Sequence, residues 1–187
     1  MMDRGYLSEC FSYDRDGGLL IWRHRPRGHF RTERGCCTFN AQRAGKPAGC
    51  ASKTADGLTY LKVRLDGRLY LAHRLIWTME HGDIPIGMEV DHKDHDGTNN
   101  RLSNLRLVSS SGNKKNRRIG RRNTSGSMGV YWSETLGKWY AQIWSDGTHR
   151  HLGTFCDFDE AVSARKRAEL QLGFHRNHGN GHSAKSA

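Results

Sequence analysis

The sequence contains no long apolar run. Of its 187 residues, no stretch is apolar enough to span a bilayer or to lie in one, which argues against a membrane partner. The first residues also do not form the charged, apolar and small-residue pattern of a signal peptide. We therefore expect a cytoplasmic protein.

Cysteine pairs with the spacing of metal sites are lacking as well. The five cysteines, at positions 10, 36, 37, 50 and 156, form no C-x-x-C motif, and adjacent Cys36 and Cys37 suit one tetrahedral site poorly. An odd number of cysteines without a signal peptide fits a reducing compartment. We expect free thiols, with a zinc site built from Cys and His as the alternative.

Acidic residues are too few to balance the basic ones. Thirty Lys and Arg stand against 19 Asp and Glu, giving a formal net charge of +11. Such an excess predicts a polyanionic partner, and nucleic acid is the class that remains once a membrane is set aside. Its binding should weaken steeply with salt. The length allows one or two small domains, and five Trp, six Tyr and six Phe can seed two small cores.

The N-terminal segment carries weaker signals. Residues 11–22 have the pattern of a β-hairpin, whereas residues 26–50, rich in Gly, Arg and small side chains, predict a loop. Two interpretations stay open for the basic residues of this region. They contact DNA phosphates, or they belong to a solvated basic loop. The residues concerned are Arg23, His24, Arg25, Arg27 and Arg31.

Residues 58–82 predict a hairpin followed by a helix. Leu61, Val63 and Leu65 alternate with basic residues, and the pair at 66–67, Asp-Gly, is a favoured two-residue turn. Residues 72–81 have helical periodicity and Gly82 can end the helix, with one apolar side formed by Ala72, Leu75, Ile76 and Met79. For a histidine on this helix, His73, packing and ligand roles both stay open.

Residues 88–116 concentrate the side chains that can do chemistry. They predict a strand at 88–92, a loop at 93–104, a second strand at 105–109 and a helix that begins at 109–111. This order should bring Asp91 and His92 beside Asn113 in the first helical turn. Carboxylate and amide oxygens are hard ligands that suit Mg²⁺ or Mn²⁺, and the adjacent His can accept a proton from water.

The arrangement therefore predicts metal-assisted hydrolysis of a phosphodiester. The alternative is a surface loop that is merely rich in Asp, Asn and His. Within the loop, Asp94, His95 and Asp96 could also be ligands, but Asp96-Gly97 is the pattern of a turn and we prefer that interpretation.

Three stretches carry a family resemblance: AHRLIW (72–77), VDHKDHDGTNNRLSNLRLVS (90–109) and GNKKN (112–116). They resemble the HNH nucleases, in particular the homing endonucleases common in bacteriophages. The resemblance implies a nuclease domain over residues 1–118 with a ββα-metal core at 88–118. It implies double-stranded DNA as substrate, no small-molecule substrate, and the host cytoplasm if the gene belongs to a phage. It implies that Asp91 and Asn113 hold Mg²⁺ (or Mn²⁺) and that His92 is the general base. It also implies that Asn104 holds the loop and helps to orient the His.

A basic run follows the motif. Beside a nuclease centre, its positive residues most simply contact phosphates, and they are Lys114, Lys115, Arg117, Arg118, Arg121 and Arg122. Residues 119–126 are predicted to be a basic linker that ends in the polar sequence NTSG.

The chain after the linker predicts a second domain at 127–174. Strands are expected at 129–133, 138–144 and 150–155, followed by a helix that Asp157 caps, with Glu160 at the reciprocal position of a capping box. This is a small three-stranded antiparallel sheet packed on one helix. Residues 175–187 are predicted to be a disordered tail, with metal binding by His175, His178 and His182 as the alternative.

This second segment resembles the DNA-binding domain of the plant ethylene-response-factor (APETALA-type) family. The likeness rests on GV at 129–130, GKW at 137–139, LGTF at 152–155 and EA at 160–161. It implies that the exposed sheet face enters the major groove of DNA. By strand alternation, the residues on that exposed face are Tyr131, Ser133, Lys138, Gln142, Trp144, His149 and His151. The residues that face the helix are Val130, Trp132, Trp139, Ala141, Ile143 and Leu152. The plant domains carry mostly Arg on that face, so their target sequence does not transfer.

The whole sequence thus predicts an α+β protein with a nuclease domain and a DNA-binding domain. Two hypotheses for its function follow. The first hypothesis is a metal-dependent DNA endonuclease, of the homing type, whose cut site is positioned by the C-terminal domain. One such centre cuts one strand, so a monomer should nick DNA, and paired cuts need a dimer or a second event. The second hypothesis is a non-catalytic DNA-binding regulator derived from a nuclease.

Overall fold

The protein has a mixed α+β fold. A computed structural model describes residues 3–55, 57–109, 112–113, 115, 119–120, 123–176 and 178–179. The chain separates into two compact units, Met1–Val108 and Ser109–Ala187. The boundaries expected from the sequence, with one domain ending at 118 and the next beginning at 127, stay predictions.

The first unit consists of short helices and three small sheets. Its helices are α1 (Arg4–Cys10), α2 (Glu33–Arg43) and α3 (Ala72–His81). Its strands pair as β1 (Phe11–Asp14) with β2 (Leu19–Trp22), as β3 (Cys50–Lys53), β4 (Thr59–Leu65) and β5 (Arg68–Leu71) in that order, and as β6 (Met88–His92) with β7 (Leu105–Ser109). Two 3-10 turns lie at Arg27–His29 and Leu102–Asn104.

The two predicted hairpins and the helix after them are confirmed. Phe11 pairs with Trp22 across β1 and β2. Between β4 and β5, Asp66 and Gly67 have φ of 48° and 80°, as a type I′ turn requires of both central residues. Helix α3 then ends at Gly82, whose φ is 87°. The β6 and β7 strands also lie where the sequence predicted them.

The prediction of a loop over residues 26–50 is wrong. Helix α2 occupies Glu33–Arg43, and Thr32 caps it by accepting a hydrogen bond from the Gly35 amide at 3.1 Å. Asn40 is buried on this helix, where its side chain exchanges two hydrogen bonds with the backbone of Arg25, at 2.9 and 3.0 Å. The helix lacks a clear apolar stripe, and it is held by these polar contacts and by Phe39, whose ring centroid lies 4.9 Å from that of Trp22.

Arg25 is the buried centre of the N-terminal region. It is 3% exposed, so contact with DNA phosphates is excluded for this residue. Its guanidinium donates to Asp66 at 2.9 Å and to the Tyr6 hydroxyl at 2.7 Å. The guanidinium carbon also lies between 4.9 and 6.0 Å from the ring centroids of Tyr6, Trp22, Phe30 and Phe39. One side chain thereby joins α1, α2, the segment after β2 and the β4–β5 turn.

The hydrophobic core of the first unit spans all of its sheets. Leu7 of α1, Leu20 of β2 and Ile76 of α3 are almost fully buried, and they pack in one cluster with residues of the later strands. Those later residues are Val63, Leu65, Val90 and Leu105. The N-terminal segment and the two strands of the motif therefore share a single core.

The second unit contains a three-stranded antiparallel sheet and a helix. The strands are β8 (Val130–Ser133), β9 (Lys138–Ser145) and β10 (Thr148–Phe155), in the order β10–β9–β8, and each begins and ends within two residues of the expected bounds. Helix α4 (Phe158–Gln171) begins after Asp157, which accepts a hydrogen bond from the Glu160 amide at 3.0 Å. Val130, Ala141 and Ala161 are fully buried between sheet and helix.

Two expectations for this unit do not hold. Trp132 was expected to pack under the helix, but it is 43% exposed because it lies on edge strand β8. Its ring contacts Trp139, and Trp139 in turn contacts Phe158 of α4. The expected disorder of the tail does not extend to His178. That residue is 3% exposed, its ring centroid is 4.6 Å from that of Phe174, and its Nε2 is 3.3 Å from Arg165. Within the described part of the chain, no helix could cross a membrane.

The Arg25–Asp66 pair should make stability depend on pH. Burial raises the pKa of Asp66, but hydrogen bonds from Tyr6 and Arg25 outweigh it and bring the pKa below its ordinary 3.8. The stabilisation is therefore present above pH 3.8 and is lost as pH falls through the folded-state pKa. Asp66→Asn should lower the urea midpoint at pH 7, and its difference from wild type should shrink as pH falls below 3.8. Exposed Asp83→Asn is the control, and a deficit of Asp66→Asn that is independent of pH would contradict the prediction.

Candidate active site

Strand β6 presents two adjacent residues in different surroundings. Side chains alternate along a strand, and His92 is buried with Val90 while Asp91 lies toward the neighbouring strand. The Asp91 carboxylate pairs with Arg106 of β7, whose Nε and Nη2 lie 3.1 and 2.9 Å from the same oxygen, Oδ2. The side chains are only 13% and 25% exposed, so this pair is screened less than a surface ion pair.

His92 is held by a side chain of the following loop. It is 5% exposed, and its Nε2 lies 2.9 Å from Oδ1 of Asn100, which is itself 1% exposed. An amide oxygen only accepts, so this hydrogen bond requires the proton on Nε2. In the neutral ring, Nδ1 is then the nitrogen that can take up a proton.

Asn104 and Asn100 hold different parts of the segment around His92. Asn104 was expected to hold the loop and to help orient the His. Its amide nitrogen donates to Asp94 at 2.9 Å and to the carbonyl of Asn99 at 2.8 Å, so it does brace the loop. The side-chain hydrogen bond to His92 comes from Asn100, four residues earlier.

The carboxylates of the loop are engaged in its own folding. Asp94 accepts from the Asp96 amide at 2.8 Å and from the side chains of Asn99 and Asn104. Burial raises the pKa of Asp94, but these hydrogen bonds outweigh it and lower the pKa below its ordinary value. Asp96 accepts from the amide and hydroxyl of Thr98, at 2.9 and 2.7 Å, which fits the predicted turn.

His73 packs on the ring of His92. The two ring centroids are 4.7 Å apart in a T-shaped contact, and Tyr60 lies 5.9 Å from His73 and 6.1 Å from His92. Burial first, and then His92 and Arg74, lower the pKa of His73 to about 3, so its ring is neutral at pH 7. This geometry favours the packing role over the ligand role.

The N-terminal hairpin fixes the loop in place. The Tyr13 hydroxyl donates to the carbonyl of Asn100 at 3.0 Å and accepts from the amide of Leu102 at 3.2 Å. A Cβ on Gly18 would lie 2.8 Å from the backbone nitrogen of Arg101, so only glycine allows this approach. Sequence reasoning missed these contacts, because no local pattern links residues more than 80 positions apart.

A close approach also joins the loop to β4. A Cβ on Gly97 would lie 2.4 Å from the carbonyl oxygen of Thr59 and 2.5 Å from the ring of Tyr60. Neither the backbone nor the packed ring can move away cheaply. The glycine therefore lets the loop lie flat on the edge of the strand that carries Tyr60.

Asn113 and most of the basic run are described only in part. Gly112 and Asn113 are helical, and the Gly112 amide donates to the Ser109 hydroxyl at 3.1 Å. Lys115 donates to Asp146 at 3.2 Å and to the Leu172 carbonyl at 3.1 Å, which engages its ammonium within the second unit. The remaining basic residues lie outside the described residues: Lys114, Arg117, Arg118, Arg121 and Arg122.

The exposed face of the C-terminal sheet is rich in aromatic rings. Cross-strand pairs bring together Tyr131 with Tyr140, Gln142 with His151, and Trp144 with His149. The tyrosine rings stack at 5.4 Å, and His149 Nε2 lies 2.6 Å from Gln142 Oε1. Ser133 pairs with Lys138 at the end of the same face. Tyr140, which was not among the residues expected on this face, belongs to the same row through its pairing with Tyr131.

The residues of the motif fit a hard divalent cation better than zinc. Among the described residues, no group of three or more His, Cys, Asp and Glu could hold a metal ion, and the cysteines are free thiols. Mg²⁺ commonly uses one or two protein carboxylates and takes its other ligands from water and substrate phosphate. The carboxylate of Asp91 and the amide of Asn113 are oxygen ligands of that kind, whereas structural zinc sites are built mostly from Cys and His.

Comparison with known proteins gives a family for this chain. The family model of the HNH endonucleases matches residues 70–115, which include α3, β6, the loop and β7. Protein 3.8 of Escherichia phage T7 is 33% identical over 106 residues, covering 56% of this chain and 87% of that relative. The chain therefore belongs to the HNH endonuclease family.

A solved structure of DNA binding and cleavage by the HNH homing endonuclease I-HmuI is also similar. It is 20% identical, and the match covers 91% of this chain and 88% of the other. The TM-score is 0.37.

The contact between Asn100 and His92 should fix the imidazole tautomer. We expect long-range ¹H–¹⁵N NMR to show the proton of neutral His92 on Nε2 in the wild type, because Oδ1 of Asn100 can only accept. Asn100→Ala removes the acceptor and should give a mixture of tautomers. Asn99→Ala, which loses a more exposed hydrogen bond to Asp94, is the matched control and should leave the spectrum of His92 unchanged. A proton on Nδ1 in the wild type would contradict this assignment.

Proposed function

We propose that this protein is a metal-dependent DNA endonuclease that hydrolyses phosphodiester bonds, with its C-terminal unit positioning the cut. The observation that carries the proposal is a buried histidine in the family segment, His92, held through Nε2 by Asn100 and set next to Asp91. With its proton on Nε2, the ring has Nδ1 as its basic nitrogen, and a general base requires such a nitrogen.

His92 would act as that base on the attacking water. The bond from Asn100 holds the ring in one tautomer, and the T-shaped contact with His73 restricts its rotation. Because His73 stays neutral, it adds no positive charge beside the nitrogen that accepts the proton. Asn104 would act indirectly, by holding the loop in which Asn100 lies.

Asp91 and Asn113 would hold the divalent ion, Mg²⁺ or Mn²⁺. When bound, such an ion stabilises the charge that builds on the phosphate and on the leaving 3′ oxygen. Arg106 already balances the charge of Asp91 in this structure and holds its carboxylate from the neighbouring strand. One centre of this kind cuts one strand, so we expect a monomer that nicks DNA, and a dimer only if both strands are cut.

The exposed sheet face of the second unit would contact the major groove of duplex DNA. An ethylene-response-factor-like role is supported by its sheet-on-helix architecture and by its exposed residues. Trp144 is 65% exposed and Tyr131 39% exposed, and both project from the side away from α4. Tyrosine, tryptophan and histidine would read base edges and methyl groups differently from the arginines of the plant domains.

A non-catalytic DNA-binding regulator is the second candidate. It is favoured by one observation, the engagement of Asp91 by two nitrogens of Arg106, which a cation would have to share or displace. Such a protein would bind DNA with the same surfaces and would leave it intact with any metal.

Loss of the base should abolish cutting but not binding. With supercoiled plasmid and DNA of the source genome as substrates, wild type should form open circles or nicks with Mg²⁺ or Mn²⁺ and none with chelator. His92→Ala should cut at least about 100-fold more slowly, as expected for loss of general-base catalysis, while its affinity for DNA stays within a few fold. His81→Ala, an exposed histidine on α3, is the control. Equal cutting by His92→Ala would refute the role of the base, and binding by wild type without any cutting would favour the regulator.

Variants of the exposed sheet face should change where the protein cuts. Tyr131→Ala combined with Trp144→Ala should weaken the preferred site by about tenfold or more, since each base-edge contact is worth about 1 to 3 kcal/mol of discrimination. The rate on random duplex should be nearly unchanged. Nick positions mapped by sequencing give the measurement, and Leu170→Ala, an exposed position on α4, is the control. An unchanged map would remove this face from the recognition surface.

A further inference from the structure

A wide cleft lies in the first unit between α2 and the β3–β4–β5 sheet. Its volume is about 1080 Å³, and it is open to solvent. Four cations line it, two from the helix and two from β4, and they are Arg34, Arg43, Lys62 and Arg64. No Asp or Glu is among the described residues that line it. The cleft is distinct from the candidate active site and from the C-terminal sheet face.

These four cations have no acidic partner. None of them forms an ion pair with a described residue, whereas Arg15, Arg25 and Arg106 each pair with a carboxylate. Arg64 donates to the carbonyl of Gly67 at 3.2 Å, a contact that leaves its charge unbalanced. Like charges around one cleft repel each other and attract a polyanion. The fold has thus gathered positive charge here without neutralising it.

Strand β4 runs from the cleft toward the motif. On β4, Val63 and Leu65 are buried in the core, so Tyr60, Lys62 and Arg64 share the opposite face, about 7 Å apart along the strand. The row ends at Tyr60, whose ring centroid is 6.1 Å from that of His92. A chain of negative charges that follows Lys62 and Arg64 along this face therefore runs toward the segment that carries the candidate base.

The neighbouring strand leaves the face open. Cys50 pairs with Lys62 and Ser52 pairs with Tyr60, so β3 places small uncharged side chains beside the basic ones. Both of these residues line the cleft. A sugar-phosphate backbone can approach this strand closely, because the residues of β3 that line the cleft, Cys50, Ala51 and Ser52, are neither bulky nor acidic.

We propose that this cleft binds the sugar-phosphate backbone of the duplex DNA that flanks the cut, and that β4 aligns that backbone with His92. The proposal rests on the proposed function for its substrate and adds a binding site in the N-terminal half of the chain. Contacts of this kind fix register and orientation on DNA without reading sequence. Sequence preference would then come from elsewhere in the chain.

The test is the salt dependence of binding to a random-sequence duplex. Each phosphate contact contributes about 0.9 to the slope of log Kd against log salt concentration. Lys62→Ala combined with Arg64→Ala should lower that slope by about 2, and Arg34→Ala combined with Arg43→Ala, on the other wall, should do the same. Arg68→Ala combined with Arg167→Ala removes the same charge from exposed positions outside the cleft and should change the slope by less than half as much.

Equal slopes for the cleft pairs and the control pair would overturn the proposal. Circular dichroism checks that each variant folds, and the helix pair decides the outcome if the strand pair does not. Because binding is measured without metal, the test does not depend on cutting. If the cleft variants change the slope but the protein never nicks DNA, the proposed nuclease activity is refuted and the proposed binding site stands. If the protein nicks DNA and the slopes are unchanged, the nuclease activity stands and the binding site is refuted.

Discussion

The buried guanidinium of Arg25 is the interaction on which the first unit depends. A buried charge costs several kcal/mol unless it is paired and hydrogen-bonded, and here Asp66 and the Tyr6 hydroxyl supply the bonds while four aromatic rings surround it. Its partners come from α1, α2 and the β4–β5 turn, which no local interaction would bring together. Arg25 therefore couples these elements to one another, including α2 and the sheet that flank the cleft.

The candidate active site inherits its rigidity from the same group of elements. The loop after β6 holds itself through Asp94 and Asn104, but its position is set from outside by Tyr13 and Gly18 of the N-terminal hairpin. The N-terminal hairpin thus belongs to the catalytic scaffold, since it holds Asn100 where Asn100 holds His92. A helix dipole or a single strand could not give that degree of positioning.

The sequence predicted elements whose signals are local. The β4–β5 hairpin followed from alternation and Asp-Gly, and α3 from its apolar stripe. Helix α2 was missed because the residues that hold it, Asn40 and Phe39, form no apolar periodicity along the helix. In the site, the motif indicated His92 and Asp91, but the choice of Asn100 over Asn104 as the hydrogen-bond partner depends on the path of the loop in space. The exposure of Trp132 likewise depends on how far one helix reaches across a sheet edge.

Strand β4 carries two unrelated requirements on its two faces. Val63 and Leu65 pack in the core. Lys62 and Arg64 lie on the other face, where another long side chain could take their place in the packing. Substitution on the outer face is therefore cheap for folding, and affinity for a polyanion could drift there over evolution without loss of the fold. An inserted residue is another matter, since a shift by one exchanges the faces, driving cations into the core and apolar groups into solvent. The strand is tolerant of replacement and intolerant of a change in length.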